Sequence, residues 1–118
     1  MVTLETLRKL ALSFPETKEE PHFEKTSFRV KKKIFATYDE VNKRVCVKLS
    51  EIDQDVFSVA GGNSIFPVDN KWGKQGWTII EMKEVHKDLF VDALTTAYCK
   101  VAPVKLAEQV RRKNNNQL

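Results

Sequence analysis

The sequence has few cysteines and histidines, and this shortage excludes several kinds of site. Cys46 and Cys99 form no CxxC pair and no zinc-ligand spacing, so neither a disulfide framework nor a cysteine-based zinc site is expected. His22 and His86 stand apart and pair with no cysteine. No GxSxG, HExxH or P-loop motif occurs. We therefore predict reduced thiols, no metal site, no cofactor and no catalytic residues.

Long apolar runs are also missing. No stretch approaches the roughly 20 apolar residues that a membrane-spanning helix needs. Residues 1–5 have neither the basic nor the apolar region of a signal peptide. These absences predict a cytoplasmic protein that has no membrane partner.

The composition is that of an ordinary folded domain. Of the 118 residues, 42% are hydrophobic and 31% are charged, unlike a disordered chain. This length suits a single domain over residues 1–118 with one core. The formal net charge of +4 permits a polyanionic partner such as DNA but does not require one.

Hydrophobic periodicity predicts one helix and three strands in the first half of the chain. The helix covers residues 3–14, with Thr3 as its N-cap and Pro15 just beyond its end. Residues 17–21 are predicted to be a polar connector. Period-two alternation predicts an antiparallel meander with strands at residues 26–30, 34–38 and 44–49.

A second helix is predicted over residues 51–60. Ser50 is a good N-cap, and Gly61-Gly62 can end the helix in a left-handed conformation. The apolar residues of this helix trace one stripe, formed by Ile52, Val56, Val59 and Ala60.

The last part of the chain alternates between polar and apolar segments. A basic loop at residues 69–75 is predicted between an extended piece at 65–68 and a strand at 76–82. A core helix is predicted over residues 86–101, with Leu94 in the middle of its apolar stripe.

The order of these elements defines the expected fold class. Pro103 is predicted to begin a further short helical stretch. The polar tail, about residues 111–118, is predicted to be frayed. The order favours a two-layer α+β domain of the form α-β3-α-β2-α, with an antiparallel sheet covered by helices.

Two groups of reactive side chains have a structural explanation that we favour over a functional one. Cys46 lies between Arg44 and Lys48 on its strand, and these cations could lower the thiol pKa, but no histidine base accompanies it. Packing is the favoured role. A solvated connector is likewise favoured over a weak metal site for the cluster Glu19, Glu20, His22 and Glu24.

Basic residues near the predicted turns suggest a surface that contacts phosphates. Trp72 lies among them, where it could stack on a base. The alternative is that the lysines are simply solvated and blunt strand edges, and that Trp72 folds back over the sheet edge. The candidate DNA-binding residues are Arg29, Lys31, Lys32, Lys33, Lys43, Arg44, Lys71, Trp72 and Lys74.

Several segments follow one family pattern in the same order. They are P-H-F-E-K-T-S-F-R-V-K-K-K-I-F-A at residues 21–36, V-K-L at 47–49, Trp72-Gly73 before Gly76-Trp77, and Ala97-Tyr98 ahead of V-A-P at 101–103. Together they resemble the MmcQ/YjbR family over about residues 4–110.

The resemblance implies both a fold and a function. The fold is a compact α-β3-α-β2-α domain, similar to type III secretion chaperones and to the frataxin-like CyaY shape. The family is described as DNA-binding through a double-wing arrangement of its hairpins, and no catalytic residues carry over. The family turn before the second strand usually carries glycine, whereas Lys31-Lys32-Lys33 makes this turn more basic here.

Three functions remain open at this point. The first is a DNA-binding module that contacts phosphates non-specifically through basic hairpins. The second is a protein-interaction module, resembling the secretion chaperones, that binds through a groove or a sheet edge and has no catalytic activity. An enzyme or small-ligand protein ranks lowest, because no acid–base pair is visible. We expect a monomer in each case.

Overall fold

The computed structural model describes residues 2–116 and their side chains up to residue 113. The first half of the chain forms α1 (Leu4–Ser13), β1 (Thr17–His22), β2 (Lys25–Val30), β3 (Lys33–Asp39) and β4 (Arg44–Lys48). The second half forms α2 (Glu51–Gly61), β5 (Ile65–Pro67), α3 (Lys71–Lys74), β6 (Trp77–Glu81), α4 (Lys87–Val101) and α5 (Val104–Asn116).

The strands form one six-stranded sheet in the order β1-β2-β3-β4-β6-β5, and every neighbouring pair is antiparallel. Strands β1 to β4 are joined by hairpins, whereas α2, β5 and α3 intervene before β6 returns beside β4. The predicted α+β class and antiparallel sheet are therefore confirmed, although the sheet has one strand more than expected.

The core lies between one face of the sheet and the helices. Helix α4 packs against β3 and β4, and it buries the predicted residue Leu94 completely. At the end of α1 the rings of Phe14, Phe35 and Tyr98 are in contact, and the Tyr98 hydroxyl donates to the Pro15 carbonyl at 2.7 Å. Among the described residues, no helix is both long and apolar enough to cross a membrane.

Residues 17–21 are not a connector, and this prediction was wrong. They belong to β1, which pairs with β2 from Thr17↔Val30 to His22↔Lys25. An edge strand with one exposed side has no need of regular apolar alternation, so its charged sequence concealed it. Pro21 is tolerated because an edge strand leaves some backbone amides unpaired.

Two segments near the C-terminal half also differ from the prediction. Residues 71–74 form a four-residue helix rather than part of a loop. Helix α5 runs from Val104 to Asn116, so it includes most of the segment predicted to be a frayed tail. The predicted tail beyond it, residues 117–118, lies outside the described residues.

The turn between β2 and β3 adopts a conformation that its residues disfavour. Val30 pairs with Lys33, which leaves Lys31 and Lys32 as a two-residue turn with φ of 51° and 71°. Two positive φ values are typical of a type I′ turn, for which Asn-Gly is the favoured sequence. A left-handed conformation costs a non-glycine residue about 1–2 kcal/mol.

Leu94→Ala should lower the free energy of unfolding by about 2–5 kcal/mol, because it leaves a cavity in the core. Urea unfolding measures the change. Leu12→Ala is the matched control, since Leu12 is 43% exposed and its loss should cost under about 0.5 kcal/mol. Equal effects in the two variants would contradict the assigned core.

Replacing the turn residues with the favoured pair, Lys31→Asn and Lys32→Gly, should raise the free energy of unfolding by about 1–2 kcal/mol. Urea unfolding again measures the difference. Lys33→Gln, just outside the two-residue turn, removes a charge without changing the turn and should have little effect. A less stable double variant would show that the turn is not strained as described.

Candidate nucleic-acid interface

The face of the sheet opposite the core carries a shallow groove. Strand alternation places Thr37, Cys46 and Ile79 in one row across this open face, in register from β3 through β4 to β6. The groove has a volume of about 410 Å³. Its lining is formed by His22, Lys25, Ile34, Thr37, Cys46, Val68, Asn70, Trp72 and Trp77.

Helix α3 forms one end of the groove, and two glycines fix its position. A Cβ on Gly73 would lie 1.9 Å from the Val68 carbonyl oxygen, so only glycine allows α3 to approach the end of β5 so closely. Gly76 has a φ of +105°, and its Cβ would lie 1.9 Å from the Leu49 carbonyl oxygen. The glycines of the Trp-Gly…Gly-Trp pattern are therefore required by backbone contacts that hold the two tryptophans in place.

A buried amide ties α3 and β6 to α2. The Gln54 side chain donates from Nε2 to the Gly73 carbonyl at 2.9 Å and to Thr78 Oγ1 at 3.0 Å. The Trp77 carbonyl is a third acceptor at 3.3 Å. Gln54 is only 7% exposed, so its amide nitrogen needs these acceptors. These hydrogen bonds tie the end of the groove to α2.

The two tryptophans differ in how freely they can meet a ligand. Trp72 is 50% exposed, and the Lys71 ammonium lies 5.8 Å from its ring centroid. Trp77 is half-buried, and Lys48 already lies 5.4 Å from its ring while donating to the Gln75 carbonyl. Trp72 is therefore the ring available for stacking, with a cation beside it.

The predicted basic residues divide between the two ends of the sheet. Successive hairpin turns of an antiparallel meander alternate between opposite ends. The turn at Lys31–Lys32 lies at the end near α3, and we call this the lysine end. Lys43 follows β3 and Arg44 begins β4, so both lie at the opposite end.

Several predicted cations are already paired with carboxylates. Arg29 contacts Glu20 at 3.3 Å, and Lys31 contacts Glu16 at 2.7 Å. Arg44 lies 2.5 Å from Glu81, and the hydrogen bond between them raises the pKa of the guanidinium. Among the described residues, the candidate cations that form no ion pair within 4 Å are Lys32, Lys33, Lys43, Lys71 and Lys74.

The thiols do not have the properties of nucleophiles. Burial raises the pKa of Cys46 to about 11, which is opposite to the lowering considered from its cationic neighbours. Burial also raises the pKa of Cys99. Within residues 2–116, no group of three or more histidine, cysteine or acidic side chains is placed to hold a metal ion.

The sequence did not point to the groove itself, nor to the exposed ring of Phe23 next to His22, which is one of the lining residues. Phe23 in the β1–β2 turn is 94% exposed, has a φ of 59° and lies 4.9 Å from the His22 ring. A bulky residue at positive φ is an outlier, and such strain is concentrated at functional sites. Phe23 lies between the predicted connector at residues 17–21 and the predicted strand at residues 26–30, where periodicity predicts no element.

The fold and the groove define a class of small α+β domain, with helices on one face of an antiparallel sheet and an open second face. The chain belongs to the YjbR family, whose model matches residues 12–100. The crystal structure of Deinococcus radiodurans protein DR2400, with a DUF419 domain, has a similar fold. Its TM-score is 0.75 at 24% identity, over 86% of this chain and 79% of that chain. No curated protein matches the chain significantly.

Gly73→Ala should displace α3, because the added Cβ overlaps the Val68 carbonyl. We expect a loss of about 1–3 kcal/mol in the free energy of unfolding and a change in the acrylamide quenching of Trp72. A Trp77→Phe background leaves Trp72 as the sole emitter, since the chain has two tryptophans.

Gly62→Ala is the control for backbone strain alone. Gly62 has a φ of +57° and open space where its Cβ would lie. It should lose stability without changing the quenching of Trp72. Unchanged quenching in Gly73→Ala would contradict the role given to this glycine.

Proposed function

We propose that this chain binds DNA non-specifically through the lysine end of its sheet and the adjoining groove. The observation that carries the proposal is the position of α3. It presents a half-exposed Trp72 between Lys71 and Lys74, at the same end of the sheet as the turn with Lys32 and Lys33.

The dimensions of this end suit a phosphate backbone. Adjacent strands lie about 4.8 Å apart, so the β2–β3 turn and α3 are separated by roughly 15 Å across the sheet. A DNA strand advances about 3.4 Å per phosphate, and several phosphates therefore fall within that width. The unpaired ammonium groups can meet them without first breaking an ion pair.

The chemistry of these cations favours non-specific contact. Lysine is a point charge and lacks the planar fork with which arginine contacts guanine bidentately. Both arginines of the candidate set, Arg29 and Arg44, are already engaged by carboxylates. Affinity should accordingly be modest, with a Kd of about 10⁻⁴–10⁻⁶ M at physiological salt.

Lys43 and Arg44 contribute less to the proposed surface. They lie at the opposite end of the sheet from α3, and Arg44 is paired with Glu81. A partner that extends along the groove from one end of the sheet to the other could still reach them. The contacts proposed here are those at the lysine end. We propose binding without catalysis, since the raised thiol pKa values give no support to nucleophilic chemistry.

A protein-interaction role is the second candidate, but the sheet edges give it little support. Edge strand β1 contains Pro21 after three consecutive charged residues, and β5 has three residues and ends at Pro67. Short, charged or proline-containing edges resist the addition of another strand. A protein partner would therefore have to bind elsewhere, and helix α2 offers an apolar surface for it.

Replacing Lys31, Lys32 and Lys33 with alanine should weaken DNA binding and flatten its dependence on salt. Removing a lysine that neutralises one phosphate should reduce the log–log salt slope by about 0.9 on duplex DNA. Fluorescence anisotropy at two salt concentrations measures both effects.

The matched control is Lys9→Ala, Lys83→Ala and Lys87→Ala, three exposed lysines outside the candidate set. It changes the net charge equally and should leave the slope nearly unchanged. Trp72→Ala should weaken binding to single strands more than to duplex, because stacking adds about 1–3 kcal/mol per base. No binding at low salt and high micromolar protein, or equal losses in both triple variants, would overturn the proposal.

A further inference from the structure

Helix α2 exposes the apolar face that such a helix ordinarily buries. Ile52, Val56 and Val59 are 76%, 58% and 84% exposed, and Ala60 is exposed beside them. Their spacing is that of an apolar stripe which faces a core in most amphipathic helices. Here the stripe points into solvent along nearly the whole helix.

The rotation of α2 is fixed by its opposite side. Gln54 is buried and donates hydrogen bonds to Gly73 and Thr78, and Phe57 packs against the core one turn later. Turning the stripe inward would remove the partners of a buried amide, which is costly. The exposure of the stripe therefore follows from the way α2 packs on the domain. Contiguous apolar patches on a protein surface are typical of binding sites.

The charges that α2 itself carries beside the stripe indicate the kind of partner. The charged residues of α2 are Glu51, Asp53 and Asp55, and the helix has no lysine or arginine. On a helical wheel, Glu51 and Asp55 lie along one side of the stripe and Asp53 along the other. The stripe is thus apolar with an acidic border.

We propose that α2 is the docking site for a cationic amphipathic helix of a partner protein. Such a helix would lay its apolar residues along the stripe and its lysines or arginines against the three carboxylates. A second copy pairing through α2 would place acidic borders against each other, and an anionic membrane would meet the same repulsion. This surface and its partner go beyond the proposed binding of DNA, which involves the lysine end.

The test uses two synthetic amphipathic helices that carry leucine at helical spacing, one with lysine and one with glutamate at the remaining positions. Anisotropy should show that the protein binds the leucine–lysine peptide at least about tenfold more tightly than its glutamate counterpart. Glu51→Lys with Asp55→Lys should reverse this preference. Ile52→Ser with Val59→Ser should abolish binding of both peptides while leaving the unfolding midpoint and DNA binding unchanged.

Three outcomes would overturn the proposal. One is equal binding of the two peptides, or a preference that the charge reversal leaves intact. Another is a concentration-dependent dimer, detected by analytical ultracentrifugation, that Val59→Ser converts to a monomer. The partner that binds α2 would then be a second copy of this chain. The third is binding to phosphatidylserine-containing vesicles that is lost in the same serine variant, which would make a lipid surface the occupant.

Discussion

The hydrogen bonds of the Gln54 side chain determine much of what this molecule presents to its surroundings. One buried amide joins α2, α3 and β6, because it donates to the Gly73 carbonyl and to Thr78 Oγ1. Thr78 in turn donates to the Gly76 carbonyl at 3.0 Å, which extends the network to the turn before β6. The same contacts set the position of Trp72 and the outward rotation of α2.

The two proposed surfaces are opposite in charge. At the lysine end, lysines that form no ion pair among the described residues, such as Lys32 and Lys71, accompany the exposed indole of Trp72, whereas the charged residues of α2 are all acidic. Under the proposed function, a polyanion would be attracted to the lysine end and repelled by α2, so the long-range field would orient it before contact. The formal net charge of +4 does not reveal that the basic and acidic residues lie on different surfaces. This separation becomes apparent only from the positions of the charges in the structure.

Periodicity predicted the parts of the fold whose stability depends on apolar burial. Helix α4 and strands β2 to β4 bury alternating or helically spaced side chains, and these elements were expected from the sequence. Strand β1 was not, because an edge strand is held by backbone pairing rather than by burial. Helix α3 is too short, at four residues, to show any period.

The candidate site was predictable only as a list of residues. The sequence named Trp72 and the lysines, but the division of the basic turns between two ends depends on how the strands are ordered. The orientation of α2 was hidden for another reason. A single polar residue, Gln54, decides which side is buried, and its partners lie 19 to 24 residues away along the chain.

The short and proline-containing edges of the sheet affect how copies of this chain behave at high local concentration. Molecules that gather side by side on a long polyanion reach high local concentrations, at which exposed strand edges can join into intermolecular sheets. Pro21 interrupts the amides of one edge, and β5 ends after three residues at Pro67 on the other. Both edges therefore disfavour pairing with the strands of another copy, even at the high local concentration that the proposed binding to a polyanion would produce.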